Sequence, residues 1–293
     1  MQEKLPKIIL FTKLKKFLIL LHKKTYGKHT ILILPFETDK NHKKLKKITN
    51  KLIQTSRTNV VLSKDLYKIE EFKNQLYKKN SNILNGRWLW NYLLEESVNY
   101  ISEQQEIPLQ EQEITIMANE NLEVNLKNII QLSQKVKHMN IVTNNINKFK
   151  PIEEYLYNKL GIMITITNNK KKALKRTNII INLDFTEEEL NQYSLPHKAI
   201  ILNINKNIKI YSKKFAGINI VNYKIKLPKE YIELFDQYYI LEEFDHNILY
   251  ESMLYTKDNY ENIALKIKAN KSKIECFIGN NGMIQSNEYK FSQ

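Results

Sequence analysis

The stretch that most limits what this chain can fold into is residues 114–147, ITIMANENLEVNLKNIIQLSQKVKHMNIVTNNIN. An apolar run at 114–117 leads into a polar hinge. An amphipathic segment over 122–136 follows, with Leu122, Leu126, Ile129, Ile130 and Leu132 or Val136 recurring at helical spacing. A second apolar run, 139–143, ends in Asn144-Asn145. Two short apolar runs on either side of a helix-length segment predict two buried parallel strands joined by a crossover helix, a βαβ unit.

The pattern continues downstream. A helix is expected over 149–159, with Pro151 in its first turn and Gly161 as its stop. Strands are expected at 162–167, 179–183 and 199–204, with a basic turn and a short acidic helix, TEEELNQY, between them. Strands alternating with helices argue for a parallel sheet with right-handed crossovers.

Upstream, Phe11, Leu14, Phe17, Leu18 and Leu21 predict a basic amphipathic helix over 11–26, with Gly27 as its stop. TILILPF at 30–36 reads as a buried strand, 40–55 as a helix, 60–62 as a strand and 66–79 as a helix. A helix from about residue 86 to 103 then joins this first region to the central one. Beyond 205 the pattern is short β-like pieces, helical stretches at 228–240 and 246–270, and a closing strand with an Asn281-Gly282 turn. The expected fold class is α/β, in three segments. Residues 1–105 form a small basic βαβα domain, 106–210 a parallel-sheet domain, and 211–293 a segment packing on the others.

The bulk numbers narrow the function classes. A chain of 293 residues suggests about two domains, and 42% hydrophobic residues supply real cores. The single cysteine, Cys276, excludes an internal disulfide and a cysteine-rich zinc site, and it fits a cytoplasmic protein. The six histidines are scattered without metal-ligand spacing, so no metal is expected. The apolar run at 17–21 is far too short to span a bilayer. Residues 1–100 carry 21 basic and 8 acidic side chains, which puts +13 of the net +15 there. Such a field can serve a nucleic-acid partner. Aromatics do not interleave with KNHKKLKK at 40–47 or KKKALKR at 170–176, however, so specific readout is not expected and a solvated face is favoured. Nothing in the sequence specifies an oligomer.

Residues 114–183 resemble the NADP-binding Rossmann-like domain of the shikimate dehydrogenase and glutamyl-tRNA reductase type. NNKKKALKRTNIIINL is close to the family's run through a short helix into the fourth strand, with Ala173-Leu174 and Thr177 to Asn182 in the matching places. Thr143-Asn144-Asn145-Ile146-Asn147-Lys148 looks like the second-strand motif. The resemblance covers roughly a third of the chain. It implies that Ala118, Asn119, Glu120 and Asn121 form the phosphate-binding turn, and that Asn144, Asn145 and Lys148 face the adenosine ribose.

The departures bear on chemistry. The turn at 118–121 has no glycine, which the family needs for backbone approach to a pyrophosphate. Glu120 would place a carboxylate near that pyrophosphate, whereas an acidic group there, with Asn119 or Asn121 as a cap, also suits a plain helix start. Asn145 stands in place of the family's arginine, leaving Lys148 and Lys150 for a 2′-phosphate. The family's catalytic Lys/Asp signature has no counterpart closer than Lys64-Asp65. Arg87, in Asn85-Gly86-Arg87, is the best-placed cation for an anionic ligand in a cleft. The leading expectation is a degenerate dinucleotide site in a non-catalytic or binding protein, with no cofactor firmly implied. The alternatives are an NADP-dependent oxidoreductase with an atypical turn and a basic nucleic-acid-associated protein.

Overall fold

The structure is a computed structural model. It describes residues 7–12, 22–26, 29–34, 59–79, 81–236, 241–255, 260–270 and 272–290, with side chains from 59 onward other than 234–236. The expected helix at 40–55 lies outside these residues. The chain divides into two compact units, residues 1–89 with 227–258, and residues 90–226 with 259–293.

The first unit is built on a five-stranded sheet of β1 (Lys7–Thr12), β2 (His22–Tyr26), β3 (His29–Leu34), β4 (Asn59–Leu62) and β5 (Asn82–Ile83), ordered β2-β3-β1-β4-β5. All neighbours pair in parallel except β2, which runs antiparallel to β3 along one edge. The helix expected over 11–26 is therefore corrected: its described parts, 11–12 and 22–26, are strand. For residues 22–26, pairing with β3 decides the conformation. Val61 and Leu84 pack with Phe244 and with Ile248 and Leu249 of the helix His246–Leu254. Glu251 on that helix is 1% exposed and takes the backbone N–H of Gly86, with those of Asn85, Trp88 and Leu89 also on its carboxylate. Gly86 has a φ of +82°, and a Cβ there would meet Asn247 Nδ2 at 2.7 Å, so this turn requires glycine.

The long helix expected at 86–103 is two helices, Arg87–Tyr92 and Leu94–Gln105, interrupted at Leu93. Leu89, Trp90, Leu93 and Leu94 are all buried across the break.

The second unit is an eight-stranded sheet: β6 (Glu113–Met117), β7 (His138–Val142), β8 (Thr165–Thr167), β9 (Ile179–Asn182), β10 (Ile200–Asn203), β11 (Ile218–Lys226), β12 (Lys273–Gly279) and β13 (Gly282–Met283). Its order is β8-β7-β6-β9-β10-β11-β12-β13. The first six run parallel, and β12 and β13 add an antiparallel hairpin at one edge. Numbered from β6, the parallel strands stand in the order 3-2-1-4-5-6, which defines a Rossmann-like doubly wound sheet. The fold is thus α/β, as the apolar runs predicted. Crossover helices Glu123–Ser133 and Ile146–Leu160 cover the β6–β7–β8 half. Pro151 lies inside the second of these rather than in its first turn, and Gly161 ends that helix at a φ of +67°. Met117, Val142, Ile180, Phe185, Leu190 and Ile201 belong to one buried cluster that also takes in Ala173 and Leu174.

Strand order reverses between β6 and β9. In open α/β sheets ligands bind outside the carboxyl ends of the strands at such a switch point.

Candidate functional site

Strand register builds the site. Met117, at the end of β6, pairs with Val142 of β7 on one side and Asn182 of β9 on the other. The next backbone bonds, from Ala118 N to Val142 O at 3.0 Å and Leu183 N to Met117 O at 3.0 Å, extend this frame. Two residues beyond the paired ends, Asn119, Asn144 and Asp184 therefore emerge side by side.

They are tied together. The backbone N–H of Asn119 donates to Asp184 Oδ1 at 2.6 Å, and that of Glu120 donates to Asp184 Oδ2 at 2.8 Å. Asn119 Oδ1 accepts the backbone N–H of Asn144 at 2.9 Å. Asn119 Nδ2 and Asn144 Nδ2 both donate to Glu189 Oε1, at 3.3 and 2.8 Å. Glu189 is itself fixed by a capping box on the helix Glu187–Leu190: its Oε2 takes the Thr186 N–H at 2.8 Å, and Thr186 Oγ1 takes the Glu189 N–H at 3.3 Å.

Glu120 and Lys148 close the other side. Lys148 Nζ donates to Glu120 Oε1 at 2.9 Å and Oε2 at 2.8 Å. Asn125 Nδ2 donates to the Glu120 carbonyl at 2.9 Å, and Asn121 Nδ2 to the Lys148 carbonyl at 3.5 Å. The helix after the turn, Glu123–Ser133, has Leu122 at its N-cap and no side-chain cap, which corrects the capping role expected of Asn119 or Asn121. Asparagine at these positions spends its side chain on the neighbouring loop instead. None of residues 118–121 takes a positive φ, so the turn is built in ordinary backbone and does not call for glycine.

Seven of the residues implied by the resemblance are Ala118, Asn119, Glu120, Asn121, Asn144, Asn145 and Lys148, and all lie at this one end of the sheet. Ala118 is fully buried, and the Asn145 N–H is held by Thr143 Oγ1 at 3.1 Å. Arg87 belongs to the first unit, at the start of the helix Arg87–Tyr92, where its N–H is held by Asn85 Oδ1 at 3.0 Å. In that unit Lys64 Nζ donates to the Glu242 carbonyl at 2.9 Å and Asp65 lies 3.7 Å from Lys68. The sequence reading missed Asp184 and Glu189. The Thr186-x-x-Glu189 capping signature was visible, but the pairing of Asp184 with residues 64 and 65 positions earlier arises only from register.

Electrostatically the network sets three carboxylates against one ammonium. Burial holds the Asp184 carboxyl above the ordinary aspartate range, the Asn119 and Glu120 amides oppose that, and the neighbouring Glu120 and Glu189 charges add to it. A dinucleotide needs open backbone donors at the turn and a partner for its ribose. Here both donors serve Asp184 and Lys148 serves Glu120. Among the described residues there is no cluster of three His, Cys, Asp or Glu side chains able to hold a metal, and no helix long and apolar enough to cross a membrane.

No family model matches the chain, and no curated protein matches it. Among solved structures it is similar to L-tryptophan dehydrogenase from Nostoc punctiforme at 8% identity and a TM-score of 0.37, over 83% of this chain and 68% of that one. It is also similar to a chorismate mutase/shikimate 5-dehydrogenase fusion protein from Clostridium acetobutylicum at 13% identity and a TM-score of 0.23, over 68% and 77%. The Rossmann-like assignment rests on the strand order itself.

Proposed function

We propose that the chain is a non-catalytic Rossmann-like protein of the binding or regulatory kind, whose dinucleotide site is degenerate. The observation that carries this reading is the two-pronged bond between Lys148 and Glu120. Lys148 is the cation that the second-strand motif would offer a ribose phosphate, and the turn that should receive the pyrophosphate supplies the carboxylate that neutralises it. An incoming diphosphate would have to break that pair and then face Glu120 unpaired. That repulsion opposes binding, screened in part by the solvent to which both side chains are exposed.

Titration with NADPH and NADH, followed through the fluorescence of Trp88 and Trp90, tests the reading. No saturable change is expected with either nucleotide. Saturable binding in the micromolar range would overturn it and favour an NADP-linked oxidoreductase with an atypical turn.

A further inference from the structure

We propose that Asp184 is an internal occupant of the turn's anion seat, an autoinhibitory contact that keeps phosphate-bearing ligands out of a switch point whose backbone donors remain correctly placed. The inference rests on the reading of the site as closed, and goes further by naming the group that closes it.

Three observations support it. Each oxygen of the Asp184 carboxylate takes one N–H, from Asn119 at 2.6 Å and Glu120 at 2.8 Å. That is how two non-bridging oxygens of a phosphate would engage adjacent amides. The contact is not a local aspartate turn, since 65 and 64 residues separate the partners. Finally, the Met117–Asn182 pairing and the bonds at Ala118 and Leu183 hold the backbone without help from the Asp184 side chain. Deleting the carboxylate should therefore free both donors in place. The ligand class this predicts is a diphosphate oxyanion, whether inorganic or part of a nucleotide. Burial, which raises the Asp184 carboxyl, means that acid weakens the same contact.

The test uses the full chain with Asp184→Ser, Asp184→Asn and, as a control for charge alone, Glu188→Gln on the exposed acidic helix. Inorganic pyrophosphate and ADP are titrated by calorimetry at low salt, and thermal melts confirm folding. Asp184→Ser should bind pyrophosphate at least about ten-fold more tightly than the unaltered chain, as expected when one charge-assisted competitor is removed. Asp184→Asn should gain less, and Glu188→Gln nothing. A gain for pyrophosphate without ADP would mark a bare oxyanion seat, and a gain for both a nucleotide-competent one. A folded Asp184→Ser chain with no gain, or an equal gain in Glu188→Gln, overturns the inference. If the Asp184 variants do not fold, the amide resonances of Asn119 and Glu120 in the unaltered chain decide. They should shift together as acid protonates the Asp184 carboxylate, and amides that stay still through acidification of the folded chain overturn the inference. NADPH binding by the unaltered chain would instead overturn the reading of the site as closed.

Discussion

Asn203 joins two strands through its side chain: its Nδ2 donates to Asn219 Oδ1 at 2.7 Å, and its Oδ1 accepts from Asn182 Nδ2 at 3.2 Å. All three asparagines are buried, and they bridge the carboxyl ends of β9 and β10 to β11. Asn182 also holds the N–H of Phe185 at 3.0 Å, and Asn219 donates to the Ile208 carbonyl at 2.8 Å. The ladder thus sets the loop that delivers Asp184.

Replacing Asn203 by Ala leaves buried polar partners on both sides without their bonds. An unfolding free energy lowered by about 2–4 kcal/mol is expected, from unsatisfied buried groups at 1–3 kcal/mol each. Urea melts measure it. A cost under about 0.5 kcal/mol would mean that the ladder contributes no stability.

The Glu120–Lys148 pair should behave differently. Their side chains are 57% and 37% exposed, so the pair is a surface one. A double-mutant cycle with Glu120→Ala and Lys148→Ala should give a coupling of about 0.2–1 kcal/mol that shrinks as salt is added. A salt-independent coupling above about 2 kcal/mol would contradict this.

Two glycines should separate by mechanism. A Cβ on Gly217 would lie 2.0 Å from the Ala199 carbonyl oxygen and 2.7 Å from its nitrogen, both backbone atoms. Gly217→Ala should cost about 3 kcal/mol or more, because the chain must move to make room. Gly161 has open space around its Cβ position and a φ of +67°. Gly161→Ala should therefore cost only about 1 kcal/mol, through backbone conformation alone. Equal costs by thermal or chemical melts would refute the distinction.

Glu251 gives the pH dependence. Burial pushes its carboxyl up from 4.5 to about 7, against the pull of the four backbone N–H groups. A carboxyl raised in the folded state binds its proton more tightly there than in the unfolded chain. Its contribution is then fully present below pH 4.5 and lost as pH rises through about 7. The first unit should lose stability between pH 5 and pH 8, on the order of 3 kcal/mol for this group. Glu251→Gln should flatten that slope. A stability that rises over the same interval, in a way that depends on Glu251, would contradict the assignment.

Much of this architecture was legible in the sequence. Strands β9 and β10 are buried throughout and open on the apolar runs III and IIL, and such runs announce themselves without alternation. The edge strand His22–Tyr26 was not legible, because HKKTY owes its conformation to a partner, β3, and not to its own pattern. In the site, the missing glycines at 118–121 were plain. The partner of the turn amides was hidden, since Asp184 reaches Asn119 only because Met117 and Asn182 are in register. A one-residue slip of β9 would point that carboxylate elsewhere.

Hydrogen exchange at the amides of Asn119 and Glu120, with and without NADPH, tests the central claim most directly. If Asp184 holds both donors, the two amides exchange more slowly than an unstructured peptide of the same sequence, and NADPH leaves their rates unchanged. Exchange at the unstructured rate, or protection that appears only when NADPH is added, would show donors left open for a ligand and would contradict the account.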